Sequence, residues 1–300
     1  MPNRSETLGN PFNRGNVLRS GLGLFFTTWL LLFTSLLSAE DDGFEVAIFP
    51  YLSVHQLLEL YEPLRQHLEQ DLAKPVRLVT ARDFSAFIQT THQNPYPLLI
   101  SAPHMARLAE LEADYEAIVR PVVSLFPVVV IETDSGISSL SDLRGAMITT
   151  PYASAVITMM ARELFLEAGL VEGVDVHFVH AGSHNNAVEQ LLSLQEIKAA
   201  VVSNPAFNSV YARYQGRVSR LLVDREDRGL SPVVYLAGRG VSAEKRAGLQ
   251  QSLLRFANDT ETGQAMMQRT GHQALRVFSQ QDREHLDPFI PATRAAFAPQ

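Results

Sequence analysis

Residues 45–72 read EVAIFPYLSVHQLLELYEPLRQHLEQDL. Glu45–Phe49 is a short apolar run with β-branched residues, the length of a strand. In Val54–Leu72, by contrast, Leu57, Tyr61, Leu64, Leu68 and Leu72 recur at the spacing that sets them on one face of an amphipathic helix. Pro63 interrupts that face and lacks a backbone donor, which predicts a kink or a fresh helical start near Glu62. The stretch is therefore a strand followed by a helix, and everything downstream depends on whether that unit repeats.

It does. Strands are expected at Val76–Thr80, Leu98–Ser101 and Ala117–Val119, with helices at Phe84–Thr91 and His104–Leu111 between them. A nearly all-apolar run, Leu125–Glu132, opens a second series. It continues with helix Leu140–Leu143, strand Ala146–Thr149, helix Ser154–Ala168 closed by Gly169, and strand Val174–Val179. Helix Asn186–Leu194, strand Ala199–Ser203 and helix Ala206–Tyr214 complete it. The charged segment Asp224–Ser231 reads as a connecting loop, and Val233–Ala237 as one more strand. From Ser242 to about Phe297 only helices are expected, packing back on the first series. Alternation of this kind predicts an α/β chain with mostly parallel sheets flanked by helices. The expected division is lobe I from 44–126 plus 233–300, with lobe II, 127–232, inserted through two crossings near 125–132 and 225–237. Two lobes joined by two strands make a hinge with a cleft, the default ligand site.

Ahead of this body, Arg4, Arg14 and Arg19 precede an uncharged stretch, Ser20–Ala39, that contains LGLFFTTWLLLFTSLL and is followed by Glu40-Asp41-Asp42. A basic start, an apolar middle and a small residue before an acidic flank form the layout of a secretory signal, so residues 1–39 are read as a signal peptide or N-terminal anchor. Leu37, three before a cut after Ala39, is large for signal peptidase. The apolar run is slightly short for a span of about 20 residues, which favours removal over anchoring.

The chain carries a net charge of −7; residues 1–39 hold three Arg and one Glu, leaving −9 on the remainder. An acidic surface argues against nucleic acid as a partner. The absence of cysteine excludes a lipid-anchor thioether, disulfides, thiolate metal sites and cysteine nucleophiles.

FPYLSVHQLLELYEPLRQHLEQDLAKPVRLVTARDFSAFIQ, then SAPHMARLA, DSGISSLSDLRG, ELFLEAGL and AGSHNNAV, resemble in this order the phosphate/phosphite/phosphonate-binding proteins of ABC transporters, over residues 44 to about 240. The resemblance implies a two-lobed type II periplasmic-binding-protein fold and a periplasmic monomer. Such a protein delivers a small, oxyanion-like ligand to an ABC permease or, alternatively, presents it to a membrane kinase, cyclase or chemoreceptor.

An anion preference also has a physical basis at four junctions where a strand ends and a helix begins: Ser101-Ala102-Pro103, Thr150-Pro151-Tyr152-Ala153-Ser154, Gly182-Ser183-His184-Asn185 and Ser203-Asn204-Pro205. Unpaired N–H groups and the positive end of the helix dipole gather there. The family's oxyanion loop reads Ser-Thr-Ser-Gly where this chain has Ala153-Ser154-Ala155-Val156, so two of three hydroxyls and the glycine are missing. Each lost charge-assisted bond costs about 1.5–3 kcal/mol. The family's Gly-Ser-His-Asp persists as Gly182-Ser183-His184, with Asn185 in place of the acid. The tyrosine often found after the family's Gly-Pro appears as Ala106, while Tyr152 brings a ring to the loop itself. These departures point to a ligand less charged than phosphate and partly apolar or aromatic.

The candidate ligand-binding residues are Tyr51, Ser101, His104, Tyr152, Ser154, His184, Asn185 and Asn204. Several have plainer roles open to them: Ser154, Asn185 and Asn204 as helix N-caps, Tyr51 as a core ring, His104 as a solvated side chain. His177 and His180 lie an odd number of residues apart on a strand and point to opposite faces, so they share no metal ion. The chain has no G-x-S-x-G elbow, Walker loop, H-E-x-x-H or dinucleotide fingerprint after a strand. No cofactor is expected, and Asp142 and Arg144 read as surface charges. The functional expectation is therefore a binding protein and not an enzyme.

Overall fold

The first strand, β1 (Phe44–Ile48), is followed by α1 (Val54–Leu72) in the computed structural model, which describes residues 43–93, 96–223 and 229–298, the side chain of Ser209 excepted. The expected leader, 1–39, lies outside the described residues. Ser53 caps α1 in a capping box with Gln56, and Leu57, Leu60, Tyr61, Leu64 and Leu68 turn inward. Helical backbone continues through Pro63 with no restart at Glu62. Arg65, bonded to both Glu62 and Glu69, ties together the turns on either side of the missing donor.

The chain then alternates through β2 (Val76–Val79), α2 (Phe84–Gln93), β3 (Leu98–Ser101), α3 (Pro103–Glu112) and β4 (Glu116–Pro121). It crosses to β5 (Pro127–Glu132), β6 (Met147–Thr150), α4 (Val156–Glu167), β7 (His177–His180), α5 (His184–Ser193), β8 (Ile197–Ser203), α6 (Asn204–Arg213) and β9 (Val218–Arg220). A second crossing returns it to β10 (Val234–Ala237), α7 (Ala243–Asp259), α8 (Glu261–Arg269), β11 (Leu275–Val277), α9 (Gln280–Leu286) and α10 (Ile290–Phe297).

The strands form two sheets, ordered β11-β4-β10-β3-β1-β2 and β7-β6-β8-β5-β9. Strands joined by crossover helices are parallel: β1 with β2 and β3, β6 with β7 and β8. The strands that carry the crossings run the other way, β10 against β3 and β4, β5 against β8 and β9, so each sheet is mixed. On β5 the alternation of a two-sided strand is explicit. Val129 and Ile131 join a core that continues from the first sheet to α4, while Val128 and Val130 join a separate cluster under α5 and α6.

Three local expectations differ from the structure. The helical tail contains β11, an edge strand antiparallel to β4, whose three residues carry no pattern of their own. Val218–Arg220 is a strand for the same tertiary reason, pairing with β5. The strand expected at Val174–Val179 begins only at His177, because Val171–Val176 folds into turns with Gly173 at φ +82°. Among the described residues no helix is long and apolar enough to cross a membrane.

The two crossings touch. Leu125 N–H donates to the Leu230 carbonyl at 2.6 Å, and Asn204 at the start of α6 holds the first crossing with its whole amide. Asn204 Oδ1 accepts from Phe126 N–H at 2.9 Å, and its Nδ2 donates to the Ser124 carbonyl at 2.9 Å.

Candidate functional site

The strand-to-helix junctions gather helix N-termini from both lobes, because parallel strands in a βαβ arrangement all feed their helices from the same sheet edge. Ser101 ends β3, wholly buried, and Ala102 and Pro103 open α3. In the second lobe Thr150 ends β6, and the loop 151–155 leads into α4.

His104 joins the two lobes. Its Nε2 lies 3.0 Å from the Ser154 carbonyl oxygen, so it is the protonated nitrogen and donates across the seam. The ring is 2% exposed, which overturns the solvated reading, and its Nδ1 has no hydrogen-bond partner among the described residues. Burial lowers the His104 pKa to about 4 against the opposing effect of the Ser154 carbonyl, so the imidazole is neutral at pH 7.

Ser154 is not the N-cap of α4. Ala155 holds that position without any side-chain bond, and the helix begins at Val156. The Ser154 hydroxyl is therefore not spent on capping. The loop is fixed instead by Arg162, one turn inside α4, whose Nη1 donates to the Ala153 carbonyl at 3.3 Å while its Nε pairs with Glu172. Arg162 escaped sequence reading because its partner is a backbone carbonyl, which leaves no motif.

Rings line the same seam. Tyr51 stacks on Phe49 with centroids 4.6 Å apart, and Phe49 lies 6.2 Å from Phe84. Phe84 in turn meets Tyr152 of the second lobe edge-on at 5.5 Å. Tyr152 is 45% exposed. The Tyr51 hydroxyl lies 3.2 Å from that of Tyr61, and burial pushes its pKa up to about 12, so it stays protonated.

Ser183, not Asn185, caps α5, accepting from Asn186 N–H at 3.0 Å. His184 is part-buried, with Nδ1 3.4 Å from the Ser203 N–H; burial pulls its pKa down to about 4, leaving a neutral ring with its proton on Nε2. Asn185 is exposed. Ser203 caps α6, and Asn204 has both ends of its amide bonded to the first crossing. The structure thus brings His104, Ser154, Tyr51 and Tyr152 to one seam. A cavity of about 300 Å³ lies elsewhere, in the first lobe beside β2 and α2, lined by residues such as Thr80, Arg82, Phe87 and Tyr96. Thr80, Ala81 and Arg82, between β2 and α2, line it, and the residues of the seam do not. No group of acidic or histidine side chains suited to a metal occurs among the described residues.

Solved structures with this architecture include PhnD1 from Prochlorococcus marinus in complex with methylphosphonate, 12% identical, TM-score 0.70, covering 85% of this chain and 98% of that one. A binding-protein component of an ABC phosphonate transporter from Pseudomonas aeruginosa is 12% identical, TM-score 0.67, with coverage of 86% and 89%. XAC2383 from Xanthomonas citri bound to chloride ion is 15% identical, TM-score 0.67, with coverage of 84% and 98%. At these identities the likeness is one of fold, that of type II periplasmic binding proteins. A family model described as the periplasmic substrate-binding protein of phosphonate ABC transporters matches residues 46–283, across both sheets and both crossings. Such proteins bind solutes for transport and are not enzymes; this chain belongs to the family of ABC-transporter phosphonate periplasmic substrate-binding proteins.

Proposed function

We propose that this protein captures a small oxyanion in the seam between lobe I, 44–126 plus 233–300, and lobe II, 127–232, and hands it to an ABC permease in the closed form. The observation that carries the reading is the His104–Ser154 hydrogen bond, which joins the N-terminus of α3 to the loop before α4. It aligns two helix N-termini, each with unpaired N–H groups, on one space. Arg162 holds the loop from behind. The junctions 101–103 and 150–154 contain no lysine or arginine, so recognition there rests on backbone N–H groups, the Ser154 hydroxyl and the ring of Tyr51. Proteins of this fold that hold methylphosphonate, chloride or ATP support an anion as the class of ligand.

Closure follows from the hinge: contacts from both lobes to one ligand favour the closed state over the open one by the ligand's differential affinity. A thermal-shift series with phosphate, phosphite, alkylphosphonates, sulfate and carboxylates tests the reading. A binding anion at 100 times its dissociation constant stabilises by about 2.7 kcal/mol and raises the melting temperature. A flat response to every anion contradicts it.

A further inference from the structure

Resting on that reading, we infer that the ligand of the seam is an oxyanion bearing an aromatic ring, packed against the row Tyr51, Phe49, Phe84 and Tyr152 while its charged end meets the helix N-termini. The row is continuous from one lobe to the other. Centroids 4.6, 6.2 and 5.5 Å apart link its members, and the last contact, Phe84 with Tyr152, crosses the seam. The terminal ring, Tyr152, keeps 45% of its surface open and is the member of the row that an added ring reaches first.

A second observation separates this place from an ordinary packed contact. The His104 Nδ1 is buried at the same seam with no partner among the described residues. A buried polar atom left unpaired is costly; with the proton on Nε2 this nitrogen is an acceptor, and the P–OH of a phosphonate monoanion is a donor that would satisfy it.

Ring selectivity distinguishes this from simple apolar burial. A phenyl group gains edge-to-face or stacked contacts, each worth about threefold in affinity, that a saturated ring of equal size cannot make. The test is calorimetric titration of the purified protein with inorganic phosphate, methylphosphonate, cyclohexylphosphonate and phenylphosphonate. Phenylphosphonate is expected to bind about tenfold tighter than methylphosphonate, two ring contacts together, and tighter than cyclohexylphosphonate. Phe84→Leu and Tyr152→Leu should each shrink the phenyl-to-cyclohexyl ratio. Equal or tighter binding of methyl- or cyclohexylphosphonate overturns the aromatic inference and leaves the anion-binding reading standing. Failure of all four probes to bind overturns the aromatic inference, and a flat thermal-shift response to sulfate and carboxylates as well overturns the anion-binding reading.

Discussion

His104 packs a donor bond, deep burial and an unpartnered nitrogen into one side chain, and its chemistry sets a pH dependence. Its pKa is lowered by burial from 6.5 to about 4, as are those of part-buried His184 and of His272, which is 8% exposed. The unfolded chain therefore binds more protons than the folded one between these values. Stability is full above pH 6.5 and falls as pH drops towards 4, by up to about 1.4 kcal/mol per pH unit for each histidine. Urea denaturation at pH 7, 6 and 5 should show the decline, and His104→Asn should reduce its slope. An unchanged slope in that variant would mean the imidazole is hydrated in solution. At this scale the sequence was only partly readable. Tyr51 and Tyr152 announce themselves as rings at strand ends, but the bonds of His104 and Arg162 go to carbonyl oxygens of Ser154 and Ala153, and a backbone acceptor has no residue signature.

Among elements, strand β3 was legible to the residue. Leu98–Ile100 is an unbroken apolar run after Pro97, and with Ser101 the strand is buried on both faces. Strand β11 was not, since Leu275–Val277 is held by its partner β4 and not by its own pattern. The N-caps lie one or two residues before the expected asparagines for a similar reason. Ser183 and Ser203 sit ahead of asparagines equally able to cap, and the backbone direction, not the residue type, decides between them. The edge made by β11 is secured by Asp282 on α9. Its carboxylate receives Arg276 through both oxygens and lies 2.8 Å from the Nε of buried Arg120. Burial raises the Asp282 pKa, but the bonds from Arg276 and Ser279 and the Arg120 charge outweigh it, so the net shift is downward. This contribution is present above the ordinary value of 3.8 and is lost as pH falls through the lowered one. Asp282→Asn leaves Arg120 buried and short of its counter-charge, and should cost about 3–5 kcal/mol in urea unfolding. A loss below about 1 kcal/mol would mean water reaches the cluster.

For the whole molecule, an α/β chain with two helix-flanked sheets was evident from the repeat of strand and helix. How the crossings are held was not. Asn204, just past the end of β8 and beside the start of β5, clamps Ser124 and Phe126, a contact spanning about eighty residues that no local pattern foretells. On the proposed closure, bending falls to the few residues around the Leu125–Leu230 bond. The absence of cysteine makes hinge motion directly measurable, because introduced thiols are unique. Gln66→Cys on α1 and Leu166→Cys on α4, both exposed and one on each lobe, accept spin labels. Pulsed electron–electron resonance should give a shorter, narrower distance distribution at saturating methylphosphonate or phenylphosphonate than without ligand. The same distribution in both conditions, with calorimetry showing the phosphonate bound, would contradict capture by closure.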